Sequence, residues 1–418
     1  MHLNRLICLG YGLALACCSL LAQAEIASEP GHSDALSVSA TLTLHDVLQK
    51  TFERNPDFQM LRALDSEVQA RYAHAQATLP MAPAIALRHQ NDALGSGRGE
   101  REWEAELELP VWLPGQKTAR QNVANEAQAG LAASREGLLL QVSGLLRDAL
   151  WDIGMNRNSA ELADQRVATA KALLHDLEHR FRAGEMARTD VMLAQNEVLQ
   201  AQAQQVRAQA ELKYALHRYQ VLTGLDTLPG NPEEIQSERS SLDGNALMSE
   251  ADAKVTLMQS ERELVRMERR ENPQVMLSAR TQRGAFDNAY NDSVGVSVRI
   301  PFSSEARNAP LLAQAEINLT RAMADRDRLK YTLETMLHEA GQNLEVARAE
   351  LDIATRQQQI AKENLRLAQK AFDLGETDLV HLMRIQALAY EAERALGNCR
   401  IQLQWNIARY NQAVGVLP

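Results

Sequence analysis

Residues 102–111 read Glu-Trp-Glu-Ala-Glu-Leu-Glu-Leu-Pro-Val, in which polar and apolar side chains alternate almost strictly. Residues 293–302 read Ser-Val-Gly-Val-Ser-Val-Arg-Ile-Pro-Phe and repeat that alternation. Successive side chains of a β-strand point to opposite faces, so each stretch predicts a strand with one apolar and one polar face. Weaker alternation over 84–90 and 274–282, followed by turn-prone segments, predicts that each strong strand is half of a hairpin.

The two hairpins belong to a tandem duplication of one unit. Equivalent residues of the two copies lie 191 positions apart, and the match contains no gap from the proline to the final glycine. A fixed offset over this length indicates a duplicated architecture. The residues that carry it are Pro110 and Pro301, Gly184 and Gly375, Gln195 and Gln386, Tyr219 and Tyr410, and Gly224 and Gly415.

Each copy also contains very long helices. No proline interrupts residues 115–182, and only Pro310 falls within residues 304–373, in the opening turns. At 1.5 Å per residue each run reaches about 100 Å. After a glycine break, each return helix keeps a heptad pattern with small residues at one seam, which predicts close-packed, supercoiled helices. Shorter helices over 56–79 and 246–271 precede the hairpins.

The repeat sets the predicted domain boundaries. The first copy covers 42–230 and the second 246–418, with a linker over 231–245 that contains proline, serine and glycine. Residues 1–24 combine Arg5, an apolar run and Ala22-Gln23-Ala24, the layout of a cleaved secretory signal, and 25–41 form an N-terminal segment. Lipidation at Cys17 or Cys18 stays open as a less favoured alternative.

Composition narrows the function classes. The formal net charge is −10, which disfavours nucleic acid as a partner. No run of 18 apolar residues follows the signal, so no transmembrane helix is expected. After the signal only Cys399 remains, at the position equivalent to Ala208, and it is interpreted as a small packing residue.

Four amphipathic strands of about nine to eleven residues suit a bilayer, but four strands cannot close a barrel and lipid does not tolerate an open sheet edge. The barrel must therefore be shared among chains. The alternative is a pair of solvent-facing hairpins on a soluble helical body, which would need a covering layer.

The order of elements, the duplication and a set of motifs resemble the TolC-type outer-membrane factors. The segment over 109–120, Leu-Pro-Val-Trp-Leu-Pro-Gly-Gln-Lys-Thr-Ala-Arg, is similar to that of the heavy-metal (cobalt/zinc/cadmium) resistance branch. The motifs are Phe181-Arg-Ala-Gly-Glu185 with Asp190 and Gln195, Tyr219 with Thr223-Gly224, Phe372-Asp-Leu-Gly-Glu376 with Gln386, and Tyr410 with Gly415.

The resemblance implies a mainly α fold with a small β part. Long-helix hairpins of a homotrimer would form an α-barrel tunnel, and four strands per chain would close a 12-stranded transmembrane β-barrel. It implies a passive efflux duct in the outer membrane of a Gram-negative bacterium, extending into the periplasm. The implied partners are outer-membrane lipid, a periplasmic adaptor and an inner-membrane pump, usually proton-driven, with divalent heavy-metal cations as cargo. A periplasmic coiled-coil adaptor or scaffold is the alternative function.

The resemblance also assigns site residues. The adaptor is expected to contact the helix tips, and residues just beyond each tip are expected to line the tunnel entrance. An Asp–Arg or Asp–His contact between neighbouring helices is one interpretation of the entrance residues, and simple solvated faces are the alternative. The tip residues are Ala183, Gly184, Glu185, Leu374, Gly375 and Glu376, and the entrance residues are Asp190, His381 and Arg384.

The strand faces have separate predicted roles. The acidic face would line the barrel lumen and attract cations, unless Arg88, Arg280 and Arg299 offset its charge. The predicted lumen residues are Glu102, Glu104, Glu106 and Glu108, and the predicted lipid-facing residues are Trp103, Leu107, Leu109, Val294, Val296, Val298 and Ile300.

Catalytic chemistry is not expected. The sequence has no nucleophile motif or phosphate-binding glycine loop, so the chain is predicted not to be an enzyme and to need no cofactor. His175 and His179 stand four residues apart on a predicted helix, but two ligands alone seldom hold a metal ion, and a solvated face is favoured.

Overall fold

The computed structural model describes residues 36–302 and 305–418. The predicted signal over 1–24, the alternative lipidation sites Cys17 and Cys18, and most of the N-terminal segment lie outside the described residues. The elements are β1 (Ser37–Ser39), α1 (Leu44–Arg54), α2 (Asp57–Gln76), β2 (Ala84–Asn91), β3 (Arg101–Pro110), α3 (Gln116–Arg182), α4 (Arg188–Thr223), β4 (Thr227–Pro229), α5 (Ala246–Met267), β5 (Gln274–Arg283), β6 (Asn291–Arg299), α6 (Glu305–Asp373) and α7 (Leu379–Ala413).

The four predicted strands form one antiparallel sheet in the order β2-β3-β5-β6. The two hairpins, β2–β3 and β5–β6, therefore meet at the β3–β5 pair in the middle of the sheet. β2 and β6 are its edge strands. The predicted hairpins are confirmed, and the structure adds that the two copies join into a single sheet.

The long helices are also confirmed. α3 has 67 residues and α6 has 69, so each reaches about 100 Å. Their return helices, α4 and α7, have 36 and 35 residues. The helices α2 and α5 end shortly before Pro80 and Pro273, which cannot continue a helix.

The helices pack through narrow seams rather than around one thick core. In α4 the buried positions include Val191, Ala194, Val198 and Ala201, which belong to the two predicted heptad seams. The largest apolar cluster lies where α1 packs against the middle of α3, and it includes Phe52.

Two features near the middle of the molecule were not predicted. One is α1, which Thr43 caps: its hydroxyl accepts from the Asp46 amide at 3.1 Å, and the Asp46 carboxylate accepts from the Thr43 amide at 3.1 Å. The Thr-x-x-Asp spacing is a sequence signal for that helix start. The other is the short parallel pair of β1 and β4, which joins segments almost 200 positions apart.

Candidate functional site

The sheet has one continuous apolar face. Cross-strand register aligns apolar side chains in rows that cross all or most of the strands. The predicted lipid-facing side chains share this face. In the single chain Leu107 and Leu109 are half-buried and the others are exposed, with Val294 at 89%. Ile300 follows β6 with the same parity. The rows are Leu87-Ala105-Ala279-Val294, Ile85-Leu107-Leu277-Val296 and Leu109-Val275-Val298.

Aromatic side chains lie at both ends of this face. At the loop end Trp103 stacks on His89, with ring centroids 4.0 Å apart. At the helix end Phe302 follows Ile300 with the same parity and is exposed. An apolar band between aromatic ends is the pattern of a surface that crosses a bilayer.

The polar face carries the predicted lumen glutamates, and arginines pair with two of them. Arg280 binds Glu102 at 2.8 Å, and Arg88 approaches Glu104 to 3.6 Å. In the register, Glu106 lies between alanine and serine, and Glu108 lies between alanine and methionine, so no arginine stands directly beside either.

Arg299 is the third arginine of the polar face, opposite Gln274 at the helix end of the sheet. The polar face of the four strands therefore holds four glutamates and three arginines, and one net negative charge per chain remains. Arginines therefore offset the charge of Glu102 and Glu104, whereas Glu106 and Glu108 have no arginine directly beside them.

The two helix tips have the same backbone geometry. Gly184 and Gly375 adopt φ angles of +81° and +75°, the left-handed region that glycine enters without strain. At the first tip the Glu185 amide donates to the Arg180 carbonyl at 2.9 Å, and at the second the Glu376 amide donates to the Ala371 carbonyl at 2.8 Å. These are Schellman turns, in which the glycine ends one helix and reverses the chain.

A shared apolar cluster joins the two tips. It contains buried residues of α3, α4, α6 and α7, including Leu177 and Phe372. Arg180 closes it from the side, because its guanidinium binds Asp373 at 3.0 Å and lies over the Phe372 ring. The predicted adaptor-contact residues stay outside the cluster and are exposed, with Leu374 at 75%.

The predicted entrance residues do not meet one another within the described part of the chain. Asp190 lies in the first turn of α4, and the His381 amide donates to the Asp378 carboxylate at 2.7 Å. Arg384 lines a cavity of about 580 Å³ between the helices, together with Arg166. Among described residues no hydrogen bond or ion pair connects Asp190 to His381 or Arg384.

The helices α4 and α6 carry exposed apolar stripes. Helix α4 packs on α3, α3 packs on α7 and α7 packs on α6. The four helices therefore form a row in which α4 and α6 are the outer members. The stripe on α6 recurs every seven residues and that on α4 nearly so. Their members are Val346, Ile353, Ile360 and Leu367 on α6, and Met192, Leu199, Val206, Tyr214 and Val221 on α4.

A buried polar network that the sequence did not predict fixes the linker to the middle of α3. The Arg147 guanidinium binds Glu234 at 2.7 Å, and the two side chains are only 4% and 7% exposed. Arg147 also donates to the Val416 carbonyl at 2.9 Å. The partners come from segments far apart in the chain, so no local sequence signal announces this network.

The histidines and the cysteine show no assembled chemistry. The His175 and His179 rings contact each other with centroids 4.7 Å apart. Over residues 36–302 and 305–418 no group of three or more His, Cys, Asp or Glu side chains is arranged to hold a metal ion. Cys399 is half-buried, and burial raises the pKa of its thiol. No helix within the same ranges is both apolar enough and long enough for a membrane span.

No protein-family model matches the sequence. The chain is 23% identical to the outer membrane protein TolC of Vibrio cholerae over 321 residues, which cover 70% of this chain and 71% of that protein. Its fold matches the V. cholerae outer membrane protein VceC with a TM-score of 0.72, at 15% identity, over 89% of this chain and 96% of the other.

It also matches CusC, with a TM-score of 0.70 at 14% identity, over 89% of this chain and 92% of the other. A third match is the Campylobacter jejuni CmeC outer membrane channel, with a TM-score of 0.67 at 14% identity, over 89% and 85% of the two chains. The chain has the fold of TolC-type outer-membrane channels, and it is an outer-membrane protein.

Proposed function

We propose that this TolC-type outer-membrane protein is the duct of a tripartite efflux system. The observation that carries the proposal is one four-stranded sheet whose apolar face crosses all four strands and whose two edges are open, at the end of helices about 100 Å long. The sheet suits a bilayer and the helices suit a conduit that extends from it.

The open edges require further copies of the chain. In lipid every backbone N–H and C=O needs a partner, and only a closed barrel supplies one for edge strands such as β2 and β6. Three chains would give 12 strands, an even number within the range of outer-membrane barrels. A homotrimer is therefore the proposed assembly.

The helical part supports the same ring. Within one chain, Leu162 of α3 and Met383 and Tyr390 of α7 line one hollow where the two copies meet. Shifted by the repeat offset, these positions become Ile353 on α6 and Met192 and Leu199 on α4, which are the exposed stripes. The α6 stripe of one chain then faces the α4 stripe of the next, as a heterologous interface that closes a ring.

The duct would be passive, and its proposed partners supply the energy. The exposed tips formed by Ala183 to Glu185 and by Leu374 to Glu376 would contact a periplasmic adaptor, which connects the duct to a proton-driven pump in the inner membrane. Two tips of the same geometry in each chain give such an adaptor a repeated surface. Asp190, His381 and Arg384 would meet between neighbouring chains at the tunnel entrance.

Divalent heavy-metal cations are the proposed cargo. Two features support this choice: the similarity of residues 109–120 to the heavy-metal branch, and the glutamates Glu106 and Glu108, which have no arginine directly beside them in the register. Carboxylates repeated around a lumen raise the local concentration of cations. An adaptor function is not favoured, because in a soluble periplasmic protein an apolar sheet face of this extent would be exposed to water.

The proposal is tested by deleting the gene and measuring growth and metal accumulation in medium with Co²⁺, Zn²⁺ or Cd²⁺. Cells without the gene should accumulate metal, and the wild-type gene should restore efflux. The purified protein should elute as a trimer in detergent and conduct ions in planar bilayers. A soluble periplasmic monomer without conductance would contradict the proposal and favour the adaptor.

A further inference from the structure

We infer that the internal duplication fixes the strand register between neighbouring chains, so that Val298 of one chain lies opposite Leu87 of the partner subunit. The same relation places α2 of the partner subunit in the groove between α5 and α6. The inference rests on the proposed ring and goes beyond it, because it assigns specific residue pairs to the contact.

The two hairpins are superimposable in register. In the first hairpin Ala84 pairs with Glu108, and in the second Gln274 pairs with Arg299. The step from Glu108 to Arg299 is 191 positions, and the step from Ala84 to Gln274 is 190. β3 therefore corresponds to β6 with an offset of 191, and β2 corresponds to β5 with an offset of 190.

The β3–β5 pair shows how the end of one copy meets the start of the next. In this pair Leu107 lies opposite Leu277. Moving Leu107 forward by 191 gives Val298, and moving Leu277 back by 190 gives Leu87. If the junction between chains repeats the junction between copies, Val298 lies opposite Leu87 of the partner subunit.

The same step gives Ile300 opposite Ile85 of the partner subunit and Val296 opposite the partner subunit's His89. The two leading pairs, valine with leucine and isoleucine with isoleucine, bring apolar side chains together on the lipid-facing side. A slip of one residue would turn the partner's apolar side chains to the lumen, so this parity is strongly preferred. Slips of two residues keep the parity, and an experiment must distinguish them.

The helices give independent support. Within one chain α5 packs on α3 and is fixed there by the ion pair of Glu268 with Arg120. The equivalent surface of α6 is vacant in the single chain. It forms a groove of about 1150 Å³ with α5, into which Ile300, Phe302 and Leu311 project. Phe302 is 97% exposed there, a large aromatic side chain that a partner helix would bury.

Charge points to the same occupant. Arg71 of α2 binds Glu261 of α5 at 2.8 Å, and the two residues are 190 positions apart, so they hold equivalent places in the two copies. With α2 of the partner subunit in the groove, Glu261 also faces the partner's Arg71. Arginine and glutamate then alternate around the ring, and each arginine lies between two glutamates.

Disulfide trapping in outer membranes tests the register. In a Cys399→Ser background, the pair Val298→Cys with Leu87→Cys should give covalent trimers after oxidation, because directly opposed strand residues have Cα atoms about 4.5–5.5 Å apart. The matched controls combine Val298→Cys with Ile85→Cys or with His89→Cys. A shift of two residues moves the Cα by about 7 Å, so each control should give at least fivefold less covalent trimer. Within one chain β2 and β6 are separated by two strands, so no intrachain bond can form.

The outcomes separate the inference from the ring itself. If either shifted pair links better than the matched pair, the register is wrong while the ring stands. If no pair links but amine cross-linking still gives trimers, the edges do not meet in this way. If the protein elutes as a monomer and no reagent cross-links it, the proposed function fails. The pair Leu311→Cys with Thr78→Cys tests the helix contact separately. Leu311 is the repeat equivalent of Arg120, and Thr78 is the repeat equivalent of Glu268, so the two should lie together where α2 of the partner subunit packs on α6.

Discussion

Replacing Glu106 and Glu108 together by glutamine should reverse the ion preference of the proposed duct. The polar face holds four glutamates and three arginines, so the proposed trimer would carry about three net negative charges in its lumen. The double variant changes this to about three net positive charges. Because Arg88 and Arg280 already pair with the other two glutamates, this charge lies mainly at the unpaired positions.

The size of the effect follows from the barrel dimensions. Twelve strands about 4.8 Å apart and tilted by about 40° enclose a radius of about 12 Å, which puts the carboxylates about 10 Å from the axis. Three charges at this distance in water give about 1.2 kcal/mol, and a Debye length of about 10 Å at 0.1 M salt reduces this to about 0.4 kcal/mol. Cations are then enriched about twofold and anions depleted about twofold.

A permeability ratio of about four between cations and anions gives a reversal potential of about 25 mV in a tenfold KCl gradient, against a limit of about 59 mV. The wild-type protein should show this value with the sign of cation preference, and the double variant a similar value with the opposite sign. The assay is the reversal potential in planar bilayers.

The matched control removes a paired charge of each sign. Glu102→Gln with Arg280→Gln deletes an ion pair and leaves the net lumen charge unchanged, so the sign of the reversal potential should stay that of the wild type. The electrostatic reasoning is refuted if the Glu106 and Glu108 variant keeps cation preference, or if the control loses it.

Three further predictions concern the helical body. Arg147→Ala leaves a buried carboxylate without its cation and should lower the free energy of unfolding by about 3–5 kcal/mol, whereas Arg356→Ala, at an exposed pair, should cost less than about 0.5 kcal/mol, as measured by thermal unfolding in detergent. Gly184→Ala should destabilise the tip by about 1 kcal/mol because of its positive φ, whereas Gly341→Ala should stabilise helix α6 by a similar amount. A Cβ atom meets no neighbour at either site, so the same thermal unfolding assay compares the backbone effects directly. Burial raises the pKa of Tyr219 to about 12, so its stabilisation is complete below pH 10 and is lost as the pH rises towards 12; Tyr219→Phe should remove this part of the alkaline loss in a pH series of melting temperatures.

Much of the fold follows from local patterns in the sequence. Strict alternation over 102–111 predicts a strand because its period is two, and uninterrupted residues from Gly115 to Arg182 predict a helix because nothing breaks it. The repeat offset transfers both to the second copy. Of the small heptad residues of α4, Ala194, Ala201 and Ala215 are buried and Ala208 is half-buried.

Features that depend on distant pairing were not predictable in this way. The alternation of the strands predicts that Arg88 and Arg280 share a face with the glutamates. It does not predict which carboxylate each arginine binds, because the strand register determines the pairing. The network of Arg147 joins segments that only the fold brings together. Helix α1 is a different case, because the capping box at Thr43 is a local sequence signal for a helix start.

The two Schellman turns bear on the stoichiometry of the complete assembly. In a ring of three chains the tips present six turns with nearly the same backbone. They differ in two side chains just before the glycine, which are Arg182 and Ala183 in one tip and Asp373 and Leu374 in the other. A partner that binds the backbone of the turn would find six equal positions and could bind as a hexamer. A partner that needs the exposed leucine would find only three, so counting bound partner molecules tells which part of the tip is recognised.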